Sequence, residues 1–306
     1  MAFIVLGQQQ DEHAQYMLEK LKMRGLEAYL LSTHDFPRKV QFSYEPNEES
    51  GSLTLACGKK LTLDEIQAVF WRGFSGVSDE STRENYMSQE SIAAQDAMAC
   101  LRTWFFLDND TIWLNSWEAF QHHKEKPFQL TKVKRLGVRI PQTYVGNNLA
   151  DIKIAFKALK QSIFKPVFGG AHTELLTEAH LESQRVTQAL AKSPITVQEF
   201  IAGTNIRSYV IGDKVISVEL RSEQADFRED ASMELLAIET PPEIVKQAQQ
   251  IARTLHLNWT AIDWRRNHNG EYYFLEANPS PMFIGFEKLS GISITDHLVD
   301  YMLGNR

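Results

Sequence analysis

The sequence predicts an α/β front followed by two α+β halves, and three observations carry that expectation. Short apolar runs alternate with helical patterns through the first third of the chain. From Tyr144 onward the pattern changes to strands that lead into one another through turns or single helices. Two hairpin signatures, Gly212-Asp213 and Asn269-Gly270, each lie between apolar runs in the last third. At 306 residues the chain also exceeds what a single hydrophobic core usually supports.

In order, residues 2–6 read as a buried strand and residues 11–24 as a helix closed by Gly25, the usual residue just past a helix end. Strands come next at 28–31, 53–56 and 68–71, with 38–52 polar and loop-like. Residues 88–106 carry Ile92, Met98, Leu101 and Phe105 at helical spacing, and 111–114 complete the front layer. Asp108-Asn-Asp110 before that strand reads as turn chemistry. A helix over 126–136 is stopped by Gly137 and followed by Pro141. Strand 162–167, Gly169-Gly170, helix 181–191 and strand 195–201 come next. A hairpin of 208–211 and 215–220 precedes helix 242–255, and a last helix over 296–303 takes Thr295 as its cap.

The bulk numbers exclude several classes. A hydrophobic content of 43% with 23% charged residues suits a globular chain. The formal charge of −7, with basic residues spread along the chain, argues against a nucleic-acid surface. No apolar run approaches the ~18 residues of a membrane span. The two cysteines, Cys57 and Cys100, lack metal-type spacing and favour a reducing compartment, and no secretory leader is evident, so the expected location is the cytoplasm.

The most informative chemistry lies near the end of the chain. Glu276 and Asn278 sit two apart on a strand pattern and so share a face. Folding about Asn269-Gly270 pairs residues whose numbers sum to 539, which sets Asp263 opposite Glu276, with Trp264 and Leu275 on the core side. Three hard oxygen donors converging in this way suit Mg2+. A solvated acidic strand face fits the same residues.

Other candidates have two readings each. Lys165, flanked by apolar residues in a strand, could be a phosphate-facing ammonium or an edge lysine that deters aggregation. Gly169-Gly170 allows close backbone approach to a phosphate, or is a plain turn. Gln198-Glu-Phe-Ile201 ends a strand where backbone groups could read an adenine edge between Phe200 and Ile201, or is core running into a loop. Arg207 and Arg221 bracket a hairpin and suit an anion, or are solvated strand-end arginines. Lys126 alone is unremarkable. His122 and His123 are neighbours on a helix and do not face one site.

In this order the motifs resemble the ATP-grasp superfamily, over about the last three-fifths of the chain. Lys126-Pro-Phe-Gln-Leu and the stretch to Pro141 look like the first-lysine helix and the strand after it. Ile163-Phe-Lys165 resembles the second nucleotide-binding lysine segment, and Gln198-Glu-Phe-Ile201 resembles the adenine hinge. Asn205-Ile-Arg207 resembles a ribose-binding acid followed by an arginine, and Asp263, Glu276 and Asn278 fall on the family's Mg2+ positions. The tail Asn278-Pro-Ser-Pro281 and Gly285–Gly291 is similar to the glutathione synthetase and ribosomal-protein glutamate ligase branch. Val69-Phe-Trp-Arg72, Trp113-Leu-Asn115 and Asp226-Phe-Arg228 resemble the microviridin-type, or graspetide, peptide maturases. Two departures stand out: Gly169-Gly-Ala-His-Thr-Glu174 lacks the further glycine usual in this branch, and Asn205 replaces the ribose-binding acid. An amide still hydrogen-bonds a hydroxyl.

The resemblance implies a pre-ATP-grasp α/β domain over residues 1–122, a lid or central subdomain over 123–202 and a C-terminal subdomain with the metal site over 203–306. It implies ligation through an acylphosphate, with ATP and Mg2+ (Mn2+ as the alternative ion). Lys126, Lys165, Gly169 and Gly170 are then assigned to phosphates; Gln198, Glu199, Phe200, Ile201 and Asn205 to the nucleoside; and Asp263, Glu276 and Asn278 to the metal. Arg207 and Arg221 are assigned to the reacting phosphoryl group, and a lid over roughly 145–200 excludes water. The substrate it implies is a precursor peptide with a leader, joined through side-chain esters or amides. The alternatives are ligation of free amino acids or small peptides, phosphotransfer, or peptide recognition by a non-catalytic ATP-binding module. Dimers or tetramers are usual among such relatives.

Overall fold

In the computed structural model the described residues are 1–74, 76–77, 88–107, 110–168, 173–221 and 234–305. They form two compact units. The first contains Met1–Ala119, Leu257–Trp259 and Pro279–Arg306, and the second Phe120–His256 and Thr260–Asn278. This differs from a cut into 1–122, 123–202 and 203–306: the last 28 residues belong with the front of the chain, and 123–202 shares a unit with most of residues 203–278.

The first unit is built on strands β1 (Ala2–Leu6), β2 (Ala28–Leu31), β6 (Ile66–Trp71) and β7 (Ile112–Leu114), in the order β2-β1-β6-β7 with every pair parallel. β1 is buried along its whole length, as a parallel strand covered on both faces must be. Helix α1 (Glu12–Met23) starts where the Asp11 carboxylate accepts the Ala14 N–H, and α2 (Gln89–Phe106) starts at Ser88 in the same way. Residues 38–52, loop-like by sequence, contain β3 (Gln41–Glu45) and part of β4 (Ser50–Thr54), which form an antiparallel sheet with β5 (Lys60–Thr62). Phe42 and Tyr44 do alternate there, stacked with their centroids 6.5 Å apart, but the intervening polar residues obscure the period.

The second unit holds two sheets. β8 (Thr143–Gly146), β9 (Ser162–Pro166), β10 (Glu174–Leu175) and β11 (Ile195–Glu199) take the order β10-β9-β11-β8. Ile152, Leu176, Leu181, Leu190 and Val197 pack together as the core of that sheet. Helix α3 (Trp117–Lys124) contains the first point at which the chain passes from one unit to the other, and α4 (Lys126–Arg135) and α5 (Leu149–Ala158) come after it. The helix expected over 181–191 is two helices, α6 (Glu178–Glu182) and α7 (Gln184–Leu190), because Ser183 leaves helical geometry and caps the second through its hydroxyl.

The larger sheet joins β12 (Gly203–Ile211), β13 (Lys214–Arg221), β14 (Glu234–Ile238), β15 (Trp259–Asn267) and β16 (Tyr272–Asn278), in the order β14-β13-β12-β15-β16. Helix α8 (Pro242–Thr254) lies against β12 and β13. Helices α9 (Ile284–Ser290) and α10 (Ile294–Met302) complete the first unit. The cap of α10 is Ser293; Thr295 lies inside the helix, buried, with its N–H and hydroxyl donated to Glu287. No helix among the described residues is long and apolar enough to cross a membrane.

Candidate active site

The β15–β16 hairpin places the carboxylates, by a route slightly different from the expected one. The Asn267 N–H donates to the Glu271 carbonyl at 2.9 Å, so the loop has three residues rather than two. Near the turn, Trp264 pairs with Phe274 and Arg266 with Tyr272. A bulge then absorbs Leu275, after which Asp263 faces Glu276 and Ala261 faces Asn278, as the numbering rule requires. Phe274, not Leu275, is therefore the fully buried partner of Trp264. Alternation leaves Asp263, Glu276 and Asn278 on one face.

Each carboxylate has a cationic partner. The Arg207 guanidinium donates from Nε to Asp263 Oδ1 at 2.7 Å and from Nη2 to Oδ2 at 2.8 Å, a bidentate pair with both side chains more than four-fifths buried. Burial works against the Arg207 charge, but the Asp263 carboxylate more than offsets it and holds the guanidinium above its ordinary value. Burial pushes the neighbouring Tyr209 phenol up. Lys126, at the first turn of α4, donates to Glu276 Oε2. Burial raises the Glu276 carboxyl, yet Lys126 first, then Lys165 and His123, bring it below the usual carboxylate range.

The nucleoside candidates form a second cluster around Arg265, two residues beyond Asp263 on the same strand. Arg265 Nε donates to the Ile201 carbonyl at 2.8 Å, and Nη1 donates to Asn205 Oδ1 at 2.7 Å. Its guanidinium carbon lies 5.8 Å from the Phe200 ring centroid. The Phe200 N–H donates to the Gln161 carbonyl, and the Glu199 carboxylate accepts the Gln142 N–H. Lys165 donates to Gln198 Oε1 at 3.1 Å, and Gln198, buried, donates onward to Thr143 at 2.9 Å. The phosphate-loop candidates Gly169 and Gly170, and the segment Asp226-Phe-Arg228, lie outside the described residues.

Arg221 does not join Arg207. The hairpin pairs Asn205 with Leu220 and Arg207 with Val218, while Glu219 opposes Ile206. Arg221 is two residues beyond Glu219 and so lies on the opposite face from Arg207. There it donates to Glu219 Oε1 at 2.9 Å, and Arg266 donates to Oε2 at 2.8 Å. A one-residue offset in strand parity separates two arginines that look equivalent in sequence.

Three residues at the site are absent from the sequence-based set. Gln129 and His123 both reach the backbone of Ala277, and Arg265 organises the hinge. Gln129 comes three residues after Lys126 and shares its helix face, a legible signal. Arg265 shares the Asp263 face by simple alternation. His123 and its neighbour do diverge, since the His122 ring packs against Phe128 and His256 instead. In the first unit, Arg72 pairs with Asp11 and donates to the carbonyl and hydroxyl of Ser280. Asn115, fully buried, bonds the backbones of Trp259 and Pro279. Both of these front-end signature residues thus act as internal ties of that unit.

As a donor set, two anionic carboxylates and an amide on one strand-pair face fit Mg2+, which takes hard oxygens and keeps waters and phosphate oxygens for its remaining positions. Among the described residues no cluster of three His, Cys, Asp or Glu side chains could hold a metal. A set of two acids and one amide is compatible with that.

Comparisons with known proteins identify the family. A family model described as the RimK-like ATP-grasp domain matches residues 128–302. A probable alpha-L-glutamate ligase 2 of Shewanella denitrificans is 28% identical over 203 residues, covering 63% of this chain and 67% of the relative. Among solved structures, the ATP-grasp ligase PsnB, complexed with a phosphomimetic variant of a minimal precursor, Mg and ADP, matches with a TM-score of 0.85 and 28% identity, over 99% of this chain and 98% of that one. The macrocyclase MdnC of Microcystis aeruginosa, bound with precursor peptide MdnA, matches with a TM-score of 0.83 over 99% of this chain and all of that one; at 20% identity it shows the shared fold alone. With a family model matched over more than half of its length, the chain belongs to the RimK-like ATP-grasp family and is an ATP-grasp ligase that uses ATP and Mg2+.

Proposed function

We propose that this ligase activates a carboxylate of a ribosomally made precursor peptide and joins it to a side-chain hydroxyl or amine of the same peptide. The observation that carries this reading is the reach of the likeness. Structural similarity to PsnB runs through 99% of the chain, front unit included, at a TM-score of 0.85 with 28% identity.

In the proposed site Asp263, Glu276 and Asn278 hold Mg2+, which supplies charge neutralisation for the phosphates. Lys126, Lys165 and the backbone of Gly169 and Gly170 meet phosphate oxygens. The Gln198-Glu-Phe-Ile201 segment receives the adenine and Asn205 the ribose. A substrate carboxylate oxygen attacks the γ-phosphorus and the bond to the β-phosphate oxygen breaks, releasing ADP. Arg207 stabilises the oxygens of the transferring group. The acceptor hydroxyl or amine then attacks the acyl carbon, loses its proton and expels phosphate. We assign residues 145–200 to the lid that keeps water from the acylphosphate. The functional division at 122/123 and 202/203 is part of the same proposal; Arg221, on the other sheet face, is not in the reacting set.

The test is mass spectrometry with ADP release, using a precursor peptide encoded beside this gene and common dipeptides. The peptide is expected to lose one water per link formed, with one ADP released for each. A peptide that instead gains a glutamyl residue would support the second reading, free amino-acid ligation, which the glutamate ligase relatives favour. A gain of phosphate, or ATP binding without any ADP, would sink the ligation reading altogether.

Arg265 gives a separate test of the nucleoside end. Arg265→Leu removes the bonds to Ile201 and Asn205 and leaves Phe200 without its cation. Affinity for a non-hydrolysable ATP analogue is expected to fall at least about tenfold by calorimetry, because the hinge loses both charged hydrogen bonds that order Ile201 and Asn205. An unchanged affinity would remove this cluster from the nucleotide site.

A further inference from the structure

Ala277, between Glu276 and Asn278, is held in an unusual way. β16 is the last strand of its sheet in the order β14-β13-β12-β15-β16. In an antiparallel ladder the residues of one strand bond alternately toward the neighbour and toward the open side. At Ala277 the open side is occupied by a side chain. Gln129 Nε2 donates to the Ala277 carbonyl at 3.0 Å, and Gln129 Oε1 accepts the Ala277 N–H at 3.1 Å. The carboxamide thereby makes the two bonds that a neighbouring peptide group would make. Gln129 is 1% exposed, so an unmade bond there is costly. His123 adds a second grip, its Nδ1 lying 3.0 Å from the same carbonyl. A carbonyl oxygen only accepts, so Nδ1 carries the proton.

All of these contacts come from one short stretch of chain. His123 lies in the last turn of α3, Lys126 opens α4 and Gln129 is one turn further along the same helix face. Lys126 meets Glu276, and Gln129 meets the next peptide. Rotation of the Ala277 peptide groups would swing the Glu276 and Asn278 side chains off their common face. Holding both the N–H and the C=O of Ala277 blocks that rotation at its centre.

We infer that Gln129, assisted by His123, is a positioning residue that fixes Glu276 and Asn278 in the geometry a divalent cation requires. This rests on the reading that Glu276 and Asn278 are metal ligands. Neither Gln129 nor His123 touches the metal or the reacting atoms in this scheme. Their effect is exerted through the backbone of Ala277, in the manner of outer groups that orient metal ligands.

The experiment measures Mn2+ binding to the full chain by electron paramagnetic resonance in the presence of ADP, alongside ADP affinity without metal and thermal melting. Gln129→Leu is expected to weaken Mn2+ about 10- to 100-fold, the usual loss for a group that orients a ligand, while metal-free ADP affinity is unchanged. His123→Ala loses a smaller factor. His123→Asn recovers it, because the Asn amide nitrogen is as many bonds from Cβ as Nδ1 and is also a donor. A folded Gln129→Leu chain with full Mn2+ affinity overturns the inference. If that variant does not fold, the His123 pair decides: equal affinities in His123→Ala and His123→Asn overturn it, and recovery by Asn supports it. Glu276→Ala is the control for the reading beneath. Mn2+ affinity lost there but intact in Gln129→Leu removes the clamp alone, whereas affinity intact in Glu276→Ala removes the metal assignment itself.

Discussion

Replacing Glu276 with Ala lowers ligase turnover by more than about 100-fold while the chain stays folded. Groups that orient a metal's ligands typically contribute about 10- to 100-fold, and a direct ligand contributes more. The fold survives because both side chains of the Lys126–Glu276 pair keep some solvent contact, 26% and 32%, so water can replace the lost carboxylate at Lys126. Steady-state ADP release and circular dichroism check the two halves of this expectation. Full turnover in the variant would end the metal assignment.

The same residue carries a pH dependence with a definite sign. Burial opposes the Glu276 charge, but Lys126, Lys165 and His123 lower its folded-state value below 4.5. A depressed carboxyl stabilises the fold above its unfolded value and loses that contribution as pH falls through the lower folded one. Glu276→Gln should therefore differ from the parent in urea midpoint at neutral pH and approach it only as pH falls through the depressed folded-state value, on the acid side of the ordinary carboxylate range. Convergence on the alkaline side instead would contradict the assignment of Lys126 as the main partner.

Arg207→Met produces the largest loss of stability, about 3–5 kcal/mol, because it strands the Asp263 carboxylate in a site where that side chain is only 17% exposed. Urea unfolding measures it. The double variant Arg207→Met/Asp263→Leu should regain most of the stability, since a buried pair replaced by apolar groups leaves no uncompensated charge. Turnover should be absent from both, because Arg207 and Asp263 each serve the reacting phosphates in the proposed site. A single variant as stable as the parent would mean that Asp263 finds solvent or another cation.

Legibility in the sequence tracks the range of the interactions involved. Asp263 opposite Glu276 is legible because strand period and turn chemistry are local, and two local departures cancel. The turn has one residue more than Asn269-Gly270 suggests, and Leu275 bulges out to restore the pairing. Arg207 and Arg221 are separable from sequence by counting parity through Gly212-Asp213, a count that the resemblance to ligand-binding arginines outweighs. Local periodicity places Gln129 beside Lys126 and Arg265 beside Asp263, but what these two and His123 bond is not legible, because those partners are distant along the chain. Arg265 reaches Asn205 and Ile201, 60 and 64 residues before it. Gln129 and His123 reach Ala277, 148 and 154 residues after them. The small sheet of β3, β4 and β5 is hidden by polar residues that alternate with only two aromatic ones in β3.

The seal on β16 also bears on self-association. A strand at the end of a sheet offers unpaired N–H and C=O groups to any other extended chain, and natural proteins blunt such ends. Here the Ala277 amide and carbonyl are already occupied by Gln129, and α4 lies along the same edge. At the other end of the sheet, β14 starts at Glu234 and has Leu236 at 37% exposure. The β16 edge is thus guarded by a helix, by the Arg139 carbonyl on Phe274 and by the Gln129 amide, and in the proposed site that amide carries two tasks. Loss of Gln129 would open a template for strand addition beside Glu276, so its variants should be screened for aggregation as well as for metal binding.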